Sequence, residues 1–153
     1  MIIWDTLTDE SAYNSVRYNV LLWDEEGGVA KEDPYLDGKQ YPTMGIGFNL
    51  KDTSNLYAIL TEMGFDPNTT NPDEKKYIDR IIGVVNKIYS TGQQNILQND
   101  LKTIMVDWKN DTRVSTHNGK VKRDEFKLFN STNEITNVFN AIAPGYEGGI
   151  DRW

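Results

Sequence analysis

Two carboxylates near the N-terminus have surroundings that would separate their acidities. Glu26 ends a helical pattern and precedes Gly27-Gly28, so it should lie at the C-terminus of a helix. The negative end of a helix dipole disfavours an ionised carboxylate, which suits Glu26 to donate a proton. Asp37, in the turn signal Asp37-Gly38, should stay solvated and ionised. Hydrolysis of a glycosidic bond requires such a pair of acid and carboxylate.

Residues that follow the turn would supply a hydroxyl and open backbone beside this pair. Thr43 can donate one hydrogen bond and accept two, so it could orient a water near Asp37. Gly45 and Gly47 have no side chains, which would let a saccharide or another backbone approach closely. Taken singly these signals are weak, because Asp-Gly turns are common and Gly-x-Gly in a strand is usually a bulge or packing site. Only the combination of these signals favours a functional site at these residues.

The elements that would position these residues predict an α+β fold with a small N-terminal hairpin sheet and about five helices. Apolar spacings of three and four predict a helix over 8–26, and the loss of that period predicts the hairpin sheet over 35–50. Pro34 and Pro42 should lie at sheet edges or strand starts. Further helical patterns cover 53–64, 71–92, 96–108 and 131–144, and another helix should begin at residue 146.

Two of these helices carry the signature of a capping box, in which a cap residue is followed three positions later by Glu. The pairs are Asn71 with Glu74 and Ser131 with Glu134. A polar loop should follow the helix over 96–108, from Lys109 to Gly119. His117 lies in that loop, and we expect its side chain to be solvated because no second His or Cys is nearby.

Composition excludes several classes of partner. The chain has 153 residues, with 16 Lys and Arg against 23 Asp and Glu, a net charge of −7. This acidity argues against DNA, RNA and anionic membranes, which are bound through their phosphates. Cysteine is absent, which removes disulfides, thiolate nucleophiles and Cys-based metal sites. No apolar run approaches the ~20 residues of a membrane span, and 1–25 shows no signal-peptide pattern.

At the candidate positions the sequence resembles the phage-type lysozymes, the endolysins of tailed phages. That family has a catalytic Glu at a helix end before Gly, an Asp after a Tyr on a hairpin, and a Thr that begins the strand Thr-Ile-Gly-Ile-Gly-His. A looser match lies near the C-terminus, and together the matches span roughly 8–50 and 118–153. The matching segments are Glu25-Glu26-Gly27, Tyr35-Leu36-Asp37, Thr43-Met44-Gly45-Ile46-Gly47-Phe48, Asn118-Gly119-Lys120-Val121-Lys122-Arg123-Asp124-Glu125 and Leu128-Phe129-Asn130.

The resemblance implies a lysozyme-like fold and a muramidase that cleaves peptidoglycan between N-acetylmuramic acid and N-acetylglucosamine. Glu26 would be the general acid, Asp37 would position or activate water, and Thr43 would assist it, with inversion of configuration. Tyr35, Gly45 and Phe48 would contact the glycan strand. No metal or other cofactor is implied, and the protein would act in the bacterial cell wall or periplasm.

The chain also departs from the family. Phe48 stands where the family has His, and 51–117 looks like a helical insertion between the catalytic part, 8–50, and the start of a connecting helical region, 118–153. The family's second lobe should follow the last segment, so we expect 1–153 to be one lysozyme-like domain of a larger protein. Its partners would then include a remaining lobe or a carrier protein. The acidic surface favours a tethered module, such as a phage tail component or a secreted antibacterial effector.

Three functional interpretations stay open at this point. The first is the active muramidase, with the inserted helices or a further lobe completing the cleft. The second is a catalytically inactive module, derived from a lysozyme, that binds peptidoglycan or a protein. The third is an α+β interaction domain whose similarity to lysozymes arose by chance.

Overall fold

The computed structural model describes residues 30–143, which form an α+β fold as the sequence predicts. A three-stranded antiparallel sheet precedes four α-helices. The predicted helix over 8–26, which contains Glu26, and the segment from residue 146 lie outside the described residues. The strands are β1 (Lys31–Leu36), β2 (Pro42–Gly45) and β3 (Phe48–Asn49), and the helices are α1 (Thr53–Met63), α2 (Pro72–Thr91), α3 (Gln94–Asn110) and α4 (Glu134–Ile142).

The sheet has the strand order β1-β2-β3 and confirms the predicted hairpin. Tyr35 lies opposite Thr43, and the β1–β2 pairing is irregular between Lys31 and Tyr35. Pro34 lies in the edge strand β1 and Pro42 opens β2, as the sequence predicts. Both positions suit proline because it has no N–H to contribute to the ladder.

Local capping chemistry sets the ends of the first two helices. The Asp52 carboxylate accepts the N–H groups of Ser54 and Asn55 at the start of α1, and Asn71 accepts that of Asp73 at the start of α2. Gly64 and Gly92 end the two helices with φ values of 106° and 66°, a backbone conformation that glycine adopts without a Cβ penalty.

The predicted capping box of Ser131 and Glu134 is wrong. Ser131 lies in a short 3₁₀ turn, Asn130–Thr132, and Asn133, at φ 60°, precedes α4 without a side-chain cap. The Glu134 carboxylate instead accepts the N–H of Phe129 and binds Arg123. The helix begins two residues later than a Ser131 cap would place it, and the Glu134 carboxylate is engaged by Arg123 and the Phe129 N–H. The polar loop after α3 also starts later than the predicted Lys109, since α3 continues to Asn110.

The sheet and all four helices share one hydrophobic core. α1 packs against α4, α2 against α3, and α3 also contacts β1. Phe65 and Trp108 stack at its centre with ring centroids 4.1 Å apart. The segment read as an insertion, 51–117, therefore contributes much of the same core as the hairpin. Between residues 30 and 143, none of the helices is long and apolar enough for a membrane span.

Candidate functional site

Asp37 closes the β1–β2 hairpin with its own carboxylate. Its Oδ1 accepts the N–H groups of Lys39 at 2.8 Å and Tyr41 at 2.9 Å, and its N–H donates to the Tyr41 carbonyl at 3.1 Å. Gln40, at φ 66°, allows the chain to turn back between them. Among the groups that the structure describes, none donates a hydrogen bond to the second oxygen, Oδ2. The side chain is thus held in place through one oxygen, while the other can meet solvent or a ligand.

Thr43 lies on the central strand β2 and is buried. Its hydroxyl donates to the Tyr41 carbonyl at 2.8 Å, so its proton is used inside the hairpin. The hydroxyl lone pairs can still accept a hydrogen bond. The structure therefore brings two of the three predicted catalytic residues together around Tyr41. The third, Glu26, lies outside the described residues, so the distance between the two carboxylates stays a prediction.

The three predicted glycan-contacting residues have different surroundings. Tyr35 is half-buried and lines a surface groove of about 530 Å³ along β1, together with Pro34, Gln98 and Asn130. Phe48 is 0% exposed, and contact between its ring and a substrate would require the ring to leave the core.

Gly45 lies directly against this buried ring. Its φ is 69°, and a Cβ there would come within 2.6 Å of the Phe48 ring. The missing side chain at Gly45 therefore makes room for the ring of Phe48, a neighbour in the same hairpin, whereas the sequence predicts close approach by a saccharide or another backbone.

A second group of ionisable side chains forms around the start of α2. Glu74, in the first turn of that helix, is 2% exposed, and its Oε2 lies 2.9 Å from Nε2 of His117. Asp66, in the loop after α1, completes the group. One atom from each residue, a carboxylate oxygen or an imidazole nitrogen, lies within 4.8 Å of the other two. We refer to Asp66, Glu74 and His117 as the His117 cluster.

The His117 cluster could not be predicted from the sequence. The sequence predicts a solvated His117, but the structure pairs this side chain with Glu74. The predicted capping box of Asn71 and Glu74 is also wrong, because the Asn71 N–H donates to the hydroxyl of Thr69. Glu74 and His117 are 43 residues apart in the chain, and spacing carries no information at that range. The one available signal was chemical: a lone His in a chain rich in acids.

A buried carboxylate on α4 forms a third polar centre. Glu134 accepts two hydrogen bonds from Arg123, at 2.7 and 2.9 Å, one from the Phe129 N–H at 2.8 Å, and one from Lys120 at 3.2 Å. Burial acts to raise the pKa of Glu134, but the bonds from Arg123 and the Phe129 N–H outweigh it and hold the pKa below its usual value. This centre ties the loop before α4 to the core.

Comparison of the chain with protein-family models, with curated proteins and with solved structures found no match.

Proposed function

We propose that this chain carries the catalytic part of a peptidoglycan-cleaving muramidase, a glycoside hydrolase of the phage lysozyme type. The observation that supports the proposal is the position of Asp37. It lies on the turn of a hairpin, is held by two hydrogen bonds to Oδ1, and is linked through Tyr41 to the hydroxyl of Thr43. A carboxylate held in this way keeps its orientation while its second oxygen remains available to water or substrate.

Each predicted catalytic residue has a definite task in this proposal. Glu26, at the end of the helix that the sequence predicts over 8–26, protonates the oxygen of the leaving sugar as the glycosidic bond breaks. Asp37 positions the attacking water and takes up its proton, and Thr43 supports the orientation of that water through a hydroxyl lone pair. The water oxygen then forms the new bond to the anomeric carbon from the opposite face, which inverts configuration.

The groove beside Tyr35 suits a saccharide. Its lining combines this aromatic ring with the polar side chains of Glu32, Gln98 and Asn130. Sugar rings offer an apolar face to aromatic side chains and hydroxyl groups to polar ones. The Gln98 side chain donates to the Pro34 carbonyl at 2.8 Å, which holds β1 against α3 and gives the groove a firm wall. We therefore propose this groove as the path of the glycan strand.

The test is digestion of purified peptidoglycan by the full chain, with chromatography of the released muropeptides. We expect soluble fragments with new reducing ends. Glu26→Gln and Asp37→Asn should each lower the rate by about 100-fold or more, the usual contribution of an acid or base. Glu25→Gln is the matched control beside Glu26, and Asp52→Asn is the control for Asp37, because each removes one charge outside the proposed site. Digestion by Glu26→Gln at the wild-type rate would refute the proposal.

A second candidate is a catalytically inactive module that binds peptidoglycan or a protein. It is favoured by the structural tasks of Asp37 and Thr43, since an inactive descendant would retain both residues to hold the hairpin. Sedimentation with insoluble peptidoglycan distinguishes the two candidates. Pelleting of the wild-type chain without release of muropeptides supports the binding module, and release supports the enzyme.

A further inference from the structure

The His117 cluster brings three separate segments of the chain to one point. Asp66 comes from the loop after α1, Glu74 from the first turn of α2, and His117 from the loop after α3. Hydrogen bonds hold the two loops in place: the His117 N–H donates to the Gly64 carbonyl at 2.8 Å, and the Asn68 N–H donates to the side-chain Oδ1 of Asp66 at 3.0 Å. These bonds fix the loops that carry Asp66 and His117, and the three side chains meet at one point.

One atom of this cluster is unsatisfied. Oε2 of Glu74 is paired with His117, but Oε1 is buried and, within the part of the chain that the structure describes, has no hydrogen-bond partner. A buried carboxylate oxygen without a partner is costly, and such atoms are rare in folded proteins. A bound cation would remove this cost by accepting the lone pairs that no protein group uses.

Lys122, a neighbouring protein cation, does not fill this position. Lys122 is close enough for its charge to interact with that of Glu74. Its ammonium group, however, donates to the carbonyl oxygens of Trp108 at 2.9 Å and Asp111 at 2.7 Å. Two carboxylates therefore face one imidazole in the cluster, and this excess of carboxylate ligands suits a cation.

We propose that Asp66, Glu74 and His117 bind one divalent transition-metal ion of the Zn²⁺ class. Zn²⁺ takes imidazole nitrogen and carboxylate oxygen together, and three protein ligands plus water is a common set. The hard ions Ca²⁺ and Mg²⁺ prefer oxygen ligands throughout, which disfavours them beside His117. The His117 side chain is 42% exposed, so the ion could enter from solvent and keep a water as its fourth ligand.

The distances suit an ion of this size after a small closure. Ligand atoms on a tetrahedral Zn²⁺ lie about 3.3–3.6 Å apart, given bonds of about 2.0–2.2 Å. Oε2 of Glu74 and Nε2 of His117, at 2.9 Å, are slightly closer than that. The three ligand atoms all lie within 4.8 Å of one another, which is somewhat wider. Rotation of Asp66, whose side chain is on a loop, would close the set. The hydrogen that now lies between Nε2 and Oε2 leaves to solvent or moves to Nδ1 as the metal bond forms.

The experiment uses the full chain without an affinity tag, because the sequence contains a single His. Any imidazole signal in a long-range ¹H–¹⁵N spectrum then belongs to His117. Addition of ZnCl₂ should shift the Nε2 resonance in proportion to the bound fraction and reach a limit at one ion per chain in equilibrium dialysis. The unfolding midpoint should rise with Zn²⁺ concentration, because the ion binds the folded state.

Matched variants test the ligand set. Asp66→Asn keeps an Oδ1 acceptor for Asn68 and removes one charge, so it should fold and weaken Zn²⁺ binding by about tenfold or more. His117→Gln should do the same. Asp73→Asn removes a neighbouring charge in the same helical turn and should bind like the wild type. Zn²⁺ binding that leaves the His117 signal in place, or equal affinity in Asp66→Asn and Asp73→Asn, would overturn the proposal, as would no stoichiometric binding at all.

Discussion

The side chains of Asp37 and Thr43 both form hydrogen bonds with the backbone of Tyr41 in the hairpin. The Tyr41 N–H donates to Oδ1 of Asp37 at 2.9 Å, and the Tyr41 carbonyl accepts the hydroxyl of Thr43 at 2.8 Å. The two residues predicted to act on water are therefore also the residues that shape the turn. Any test of their chemistry has to separate lost function from a damaged hairpin, which conservative substitutions can do.

We expect Asp37→Asn to keep the fold and lose muropeptide release. Asparagine retains an oxygen for the two N–H groups that Oδ1 accepts, so its free energy of unfolding should change by less than about 0.5 kcal/mol. Asp37→Ala leaves those groups without their acceptor and should cost about 1–3 kcal/mol. Urea unfolding followed by circular dichroism measures both effects. Equal destabilisation by the two variants would contradict the assigned role of Oδ1.

Thr43→Val and Thr43→Ser isolate the hydroxyl. Valine keeps the branched shape and loses the bond to Tyr41, while serine keeps the bond and loses a buried methyl group. Each change should cost about 1 kcal/mol of stability. If the hydroxyl orients water, serine retains muropeptide release and valine loses it, although both are about equally stable. If muropeptide release changes only in proportion to stability in both variants, Thr43 serves the fold and its hydroxyl does not orient water.

Gly45→Ala should destabilise the sheet strongly. A Cβ there would lie 2.6 Å from the Phe48 ring, and the φ of 69° is unfavourable for alanine. The combined strain should cost about 2 kcal/mol or more. Gly38→Ala is the control, because nothing lies within 4 Å of its added Cβ. Thermal unfolding measures both, and similar midpoints for the two variants would show that the hairpin tolerates a side chain at Gly45.

Glu134 should make stability depend on pH in the acidic range. Its pKa is held below the ordinary value of 4.5, so the unfolded chain takes up the proton first. The stabilisation is therefore complete above that value and is lost as pH falls through the folded pKa. Measurement of the free energy of unfolding between pH 7 and pH 3 should show this decline in the wild type.

Glu134→Gln tests the same ion pair by mutation. At neutral pH it should cost about 3–5 kcal/mol, because Arg123, whose side chain is 10% exposed, loses its charged partner. The acid-dependent decline should also be smaller in this variant. Glu125→Gln removes an exposed carboxylate nearby and should behave like the wild type. An unchanged decline in Glu134→Gln would place the origin of the pH dependence at another carboxylate.

Features encoded by a few adjacent residues could be predicted from the sequence. The hairpin with its edge and strand-start prolines, the Asn71 cap and the glycine that ends α1 all agree with the structure. Their physics is local, since a cap or a turn is made by groups two to four residues apart. The site of Asp37 and Thr43 lies within this range, so its place on the hairpin could be predicted, while its catalytic partnership with Glu26 stays a prediction.

Tertiary packing alone decided the partners of the buried charges. Ser131 and Glu134 have the spacing of a capping box, but Arg123 offers Glu134 a stronger, charge-assisted bond. Glu74 likewise meets His117 across 43 residues. Such contacts form because folding brings distant groups into the same buried volume, where each charge needs a partner. A single sequence states which charges are available, and only the packed chain determines which of them meet.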